Sequence, residues 1–215
     1  MNNMALARLR PFIILMFLLA GLLTCGQSGD FGRPITTNVL YLREAPGKPK
    51  RAVPLRAVSF AENDNGKSFS ICKALAFRVS QIVAREWQDN VFRSDEIQSV
   101  ETGWNTPDIK KVFIEILKIS NSRVTIDKNA HSKEDLSLSD CWFRIKLKNG
   151  REITISGTEE LFTDRFLFLR AWFEKGKREV PLDELLRERK RVENSLVATP
   201  FRRGLQVVYK DEGDD

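Results

Sequence analysis

The feature that most limits this chain is a short apolar run near its start. Phe12 to Leu23 is hydrophobic throughout apart from Gly21. Arg8, Arg10 and Pro11 precede it, and Thr24, Cys25, Gly26, Gln27, Ser28, Gly29 and Asp30 follow. As a helix rising about 1.5 Å per residue the run would reach roughly 18 Å, against the roughly 30 Å of a bilayer core. A basic stretch, a short apolar centre and a small-residue exit describe a secretory signal and argue against a permanent span. The reading assigns residues 1–25 to a signal, 26–37 to a tether and 38–215 to one compact domain, exported to a periplasm or cell envelope.

Cys25 ends the sequence Leu22-Leu23-Thr24-Cys25, which resembles the lipobox of bacterial lipoproteins. There the thiol is acylated and becomes the new N-terminus, so the domain would sit on a membrane without crossing it. Thr24 departs from the usual Gly, Ala or Ser, and ordinary cleavage that discards Cys25 is the alternative. After the signal about 190 residues remain, enough for one core.

The formal net charge is +6, and Arg8 and Arg10 belong to the signal. The acidic tail Asp211, Glu212, Asp214 and Asp215 offsets the basic cluster Arg187 to Arg191. A balance this small gives no reason to expect nucleic acid as a partner. Cys72 and Cys141 are the cysteines beyond Cys25. They are read either as one disulfide of an oxidising compartment or as two small core residues.

Patterning predicts α+β: a mixed or antiparallel sheet, a hairpin over 141–156 and several packed helices. Asn38 to Arg43 and Val53 to Phe60 read as strands, and Ala61 to Lys67 as a polar loop. Ser70 opens a helix to about Gln88 whose Ile71, Leu75, Val79, Ile82, Val83 and Trp87 share one side. Ile97 to Thr102 is a strand. Thr106 is placed as the N-cap and Pro107 as the first residue of the next helix, with Ile109, Val112, Phe113, Ile116 and Leu117 inward. Arg123 to Ile126 is a further strand. His131, the one histidine, falls in the polar stretch 127–139.

Cys141 to Leu147 alternates and returns through Arg151 to Ser156. A two-residue turn would mix the faces. A three-residue loop with Gly150 left-handed sets Ile145 opposite Ile153 and Phe143 opposite Ile155. Thr163 to Lys175 reads as a helix with Phe166, Leu169 and Phe173 inward and Gly176 as its stop. Leu182 to Glu193 reads as a charged helix, with Leu182, Leu185, Leu186 and Val192 its apolar positions. Leu205, Val207 and Tyr209 suggest a last strand.

Ala61-Glu62-Asn63-Asp64-Asn65-Gly66-Lys67-Ser68 fits a loose phosphate-loop pattern. Its acidic residues and single glycine speak against phosphate, and a polar loop capping the next helix is favoured. One histidine and no Cys-x-x-Cys pair leave no metal set, and there is no Gly-x-Ser-x-Gly elbow. Two segments stand out as a ligand site. Cys72 lies in the first turn of a helix, where the dipole activates a thiol. Gly103, Trp104, Asn105 and Thr106 lie at a strand-to-helix junction, where free amides collect. The competing accounts are a packed cysteine and a capped turn with Trp104 as a core plug.

Phe69 to Leu117 resembles the family of proteins like the E component of formylmethanofuran dehydrogenase. Their His-Gly-His-x-Cys-Pro-Gly stretch is matched by Ser68-Phe69-Ser70-Ile71-Cys72-Lys73-Ala74, and Thr102-Gly103-Trp104 is similar to a segment of some relatives. Serines replace both histidines, and the zinc-ribbon tail is absent. The resemblance implies an α+β domain, often dimeric, with a pocket at the start of the first long helix. It does not imply that catalysis, metal or any cofactor is retained. Three functions follow as expectations: a binding domain for a small ligand or partner near Cys72 and Trp104; a non-catalytic envelope interaction protein using the helix from Leu182; and an enzyme using a Cys72 thiolate, which would lack a histidine base.

Overall fold

The computed structural model describes residues 35–63, 66–130, 137–177, 179–201 and 204–211, the side chains of 61–67 excepted. The proposed signal, Cys25, most of the tether and His131 lie outside them.

The strands in chain order are β1 (Val39–Arg43), β2 (Arg51–Pro54), β3 (Phe60–Asn63), β4 (Gly66–Phe69), β5 (Val91–Arg93), β6 (Ile97–Thr102), β7 (Val124–Ile126), β8 (Trp142–Leu147), β9 (Glu152–Gly157) and β10 (Leu205–Lys210). The helices are α1 (Leu55–Ser59), α2 (Ile71–Val83), α3 (Pro107–Lys111), α4 (Asp164–Glu174) and α5 (Leu182–Val197). They build a five-stranded sheet in the order β10-β9-β8-β6-β7, a three-stranded sheet β2-β1-β5 and the pair β3-β4. Both larger sheets are mixed, since β1 runs parallel to β5 and β6 parallel to β7. The fold is α+β.

The hairpin β8-β9 has the expected register, Ile145 opposite Ile153 and Phe143 opposite Ile155. Gly150 takes φ 87° and donates its amide to Leu147 O at 3.1 Å. Burial decides this outcome. Phe143, Ile145, Leu147, Ile153 and Ile155 are each at most 2% exposed, and a one-residue slip would turn every one of them to solvent.

Helix α2 is the centre of the molecule. Every residue but Lys73 is buried, including Arg78, Ser80 and Gln81. Ser70 caps it, accepting from Lys73 N at 3.3 Å. Arg78 is wholly buried and, among the described residues, faces no carboxylate. It donates instead to neutral acceptors: Leu196 O at 2.8 Å, Thr37 O at 3.1 Å, Gln81 Oε1 at 2.6 Å, Asn38 Oδ1 at 2.5 Å and Ala198 O at 3.2 Å. Its guanidinium also lies 5.0 Å from the centre of the Phe201 ring. Burial pulls its pKa down to about 10, so it is still charged at neutral pH.

Five expectations are corrected. The strand over Val53 to Phe60 is broken at Pro54, which has no amide for the ladder. The chain turns through α1, with Ser59 Oγ donating to Leu55 O at 2.8 Å. The polar loop 61–67 is instead the hairpin β3-β4, pairing Glu62 with Lys67 and Asn63 with Gly66. Its backbone groups are spent on a ladder, so it forms no phosphate cradle between strand and helix. The end of the tether is fixed: Ile35 is buried and exchanges two backbone hydrogen bonds with Phe201 at 3.1 and 2.8 Å.

Two faces also differ from the pattern. Phe173 is 55% exposed, not inward. Arg165 in the first turn of α4 already meets Glu184 near the start of α5, so the last turns of α4 run past the helix they would pack on. Leu182 and Leu186 are exposed as well, while Val192 and Leu196 carry the buried side of α5.

Replacing Arg78 by Met would strand the carbonyls of Leu196 and Ala198, while Thr37 O keeps its bond from Gln81. Equilibrium urea unfolding should show a loss of about 2–4 kcal/mol, at roughly 1–3 kcal/mol for each buried acceptor left without a donor.

Candidate functional site

The junction singled out in sequence forms where β6 ends. Thr102 Oγ1 donates to Trp142 O at 2.8 Å and accepts from Trp104 N at 3.0 Å. This pair of bonds turns the chain inward. Gly103 is needed because a Cβ there would sit 2.7 Å from Asp140 O and against the Trp142 indole. Trp104 then enters the core completely, edge-on to Phe162 with ring centres 5.0 Å apart. Asn105 turns to solvent, and Thr106 is buried.

Thr106 stands in the cap position of α3, but its side chain makes no capping bond. The expected position holds, with Pro107 opening the helix, but the bond is not made: Thr106 N is held by Trp104 O at 2.8 Å, and its Oγ1 is left without a partner. Trp104 Nε1 is also buried and unpaired. The carboxylate of Asp108 accepts instead from Ser70 Oγ at 2.7 Å, tying the start of α3 to the start of α2.

Cys72 does come to Trp104, through a residue that sequence reasoning missed. Arg170 on α4 places Nη2 3.9 Å from Cys72 Sγ and its guanidinium 5.5 Å from the centre of the Trp104 ring. Arg170 follows Phe166 by four residues, which puts both on one side of α4; that spacing was the available signal. Cys141 completes the group. Its thiol donates to Ser137 O at 3.4 Å and interacts electrostatically with Cys72 and Arg170.

Both cysteines are free and buried. Burial first, and then neighbouring Asp140, push the Cys141 thiol far above its ordinary value. A guanidinium beside Cys72 Sγ would repel a metal cation. Among the described residues no three of His, Cys, Asp or Glu come together to hold one. Of the five predicted ligand residues, the structure therefore brings Cys72, Trp104 and Thr106 into one buried group. It gives Gly103 a packing role and leaves Asn105 outside.

Among the described residues no helix is long and apolar enough to cross a membrane. No family model, curated protein or solved structure matches the chain.

Two measurements check this site. Thr106→Val removes a buried hydroxyl that bonds nothing, so stability should hold or rise by about 1 kcal/mol, whereas a working cap would lose about 1 kcal/mol. Cys141 supplies a pH dependence. Because its folded pKa is raised, the unfolded chain releases the thiol proton first, and the folded state binds more protons above the ordinary thiol range. Stability should be intact below that range and fall as pH rises through it, and Cys141→Ala should flatten the fall in urea titrations from neutral to alkaline pH.

Proposed function

We propose that the chain is an exported envelope domain, freed by signal cleavage or held by lipid on Cys25, that acts by docking on a partner without catalysis. The observation that carries this reading is where apolar side chains lie. The expected ligand site is filled by the Trp104 indole. The helices α4 and α5 instead turn Phe168, Phe173, Leu182 and Leu186 outward, and Leu186 is the most exposed at 59%. Leu182 and Leu186 are one turn apart, so they share a side of α5. Charged Asp183, Arg187, Arg189 and Lys190 surround them, all exposed. An apolar strip with a charged rim is the usual composition of a protein-binding surface.

A second reading keeps the small ligand near Cys72, as the resemblance to the E component of formylmethanofuran dehydrogenase implies. The buried, unpaired Trp104 Nε1 and Thr106 Oγ1 favour it, since such atoms ordinarily find a partner.

A photo-crosslinking residue at Leu186, expressed in the native host, should give one adduct of defined mass, and adding Leu182→Asp should remove it. Both changes are on the surface and should leave stability within about 0.5 kcal/mol. An adduct of twice the chain mass identifies a second copy as the partner. No adduct, or one indifferent to Leu182→Asp, refutes docking through α5. Mass spectrometry of the mature N-terminus tests export: an intact, unmodified Met1 refutes it.

A further inference from the structure

A cleft of about 810 Å³ opens at the end of α2 away from Cys72. Its lining includes three rings, Tyr41, Trp87 and Tyr209, together with Gln81, Arg85 and Asp89. The volume is that of sites for small organic ligands.

The other charged side chain of this lining and two of its polar ones are already engaged. Asp89 is held by Lys50 at 3.3 Å and Arg93 at 3.4 Å. Gln81 Nε2 donates to Thr37 O and Val39 O, both at 3.0 Å, and its Oε1 accepts from Arg78. Glu86, beside the cleft, takes Arg151 at 2.6 Å and the Tyr209 hydroxyl. Arg85 differs. It is half-buried and, among the described residues, forms no hydrogen bond or ion pair. Two rings are held in place by cations: Arg151 lies 5.3 Å from the centre of Tyr209, and Arg93 lies 5.6 Å from that of Trp87.

We propose that this cleft binds a small organic acid, its single carboxylate on Arg85 and its flat apolar body against Trp87 and Tyr209. A planar guanidinium fork matches a carboxylate in two parallel hydrogen bonds. Partial burial lowers the pKa of Arg85, as for a cation that has given up some of its water. One charge is favoured over two. Among the described residues Arg85 is the one cation of this lining, and a second negative charge would find none there to meet it. Aromatic faces select a flat body by stacking.

The test compares benzoate with its neutral isostere benzamide, titrated into the full chain in neutral detergent micelles, with empty micelles as the blank and ligand-observed NMR as the readout. Benzoate should bind at least tenfold more tightly than benzamide. Arg85→Gln should bring benzoate down to the benzamide level with Tm unchanged, because Arg85 holds no other group. Equal affinity for acid and amide, benzoate binding untouched by Arg85→Gln, or no benzoate binding at millimolar concentration would each overturn the proposal. The acid–amide comparison uses the unaltered protein and decides the matter even if the variant fails to fold.

Discussion

The structure turns on a buried positive charge that, among the described residues, meets only neutral acceptors. Arg78 sits in the middle of α2 and spends its donors on carbonyls and amides of residues 37–38, 81 and 196–198. Desolvating a guanidinium is expensive, and only a full set of acceptors makes it tolerable. That demand fixes the surroundings. The strand entering β1, the end of α5 and the segment carrying Phe201 must all meet at one point on α2. Once they do, α2 is covered on nearly every side and sits inside one continuous apolar core.

The two ends of α2 then acquire different characters. At its start, Ser70, Cys72 and the β6–α3 junction pack with Arg170 into a closed group. Its other end faces a cleft with aromatic walls and an arginine that forms no hydrogen bond or ion pair among the described residues. The family resemblance drew attention to the closed end. The open end comprises Arg85, Trp87, Tyr41 and Tyr209, residues scattered from β1 to β10 and brought together only by the fold.

Where a local pattern was also a burial pattern, the sequence could be read directly. The register of β8-β9 follows from one line of alternating residues and a glycine, and the start of α2 follows from Ser70. Patterns failed where burial depends on something distant. Phe173 has the spacing of an inward residue, but α5 begins too late to cover it. Thr106 has the chemistry of a cap, but the inward turn of Trp104 takes up its amide and leaves its hydroxyl unused. Nothing beside Arg78 or Arg170 in the chain announces partners about a hundred residues away. The apparent phosphate loop shows the same limit. Its consensus fits, yet pairing of its two arms uses the amides that would have met a ligand.

The bridge between Ile35 and Phe201 bears on mechanics. Tension applied at Ile35 would load its two crossing hydrogen bonds. Beyond them it reaches Thr37 and Asn38, which Arg78 clamps to the middle of a buried helix. A pull from that side would therefore be borne by the interior of the molecule instead of peeling away an outer strand. A body suspended in this way keeps its shape until its centre gives.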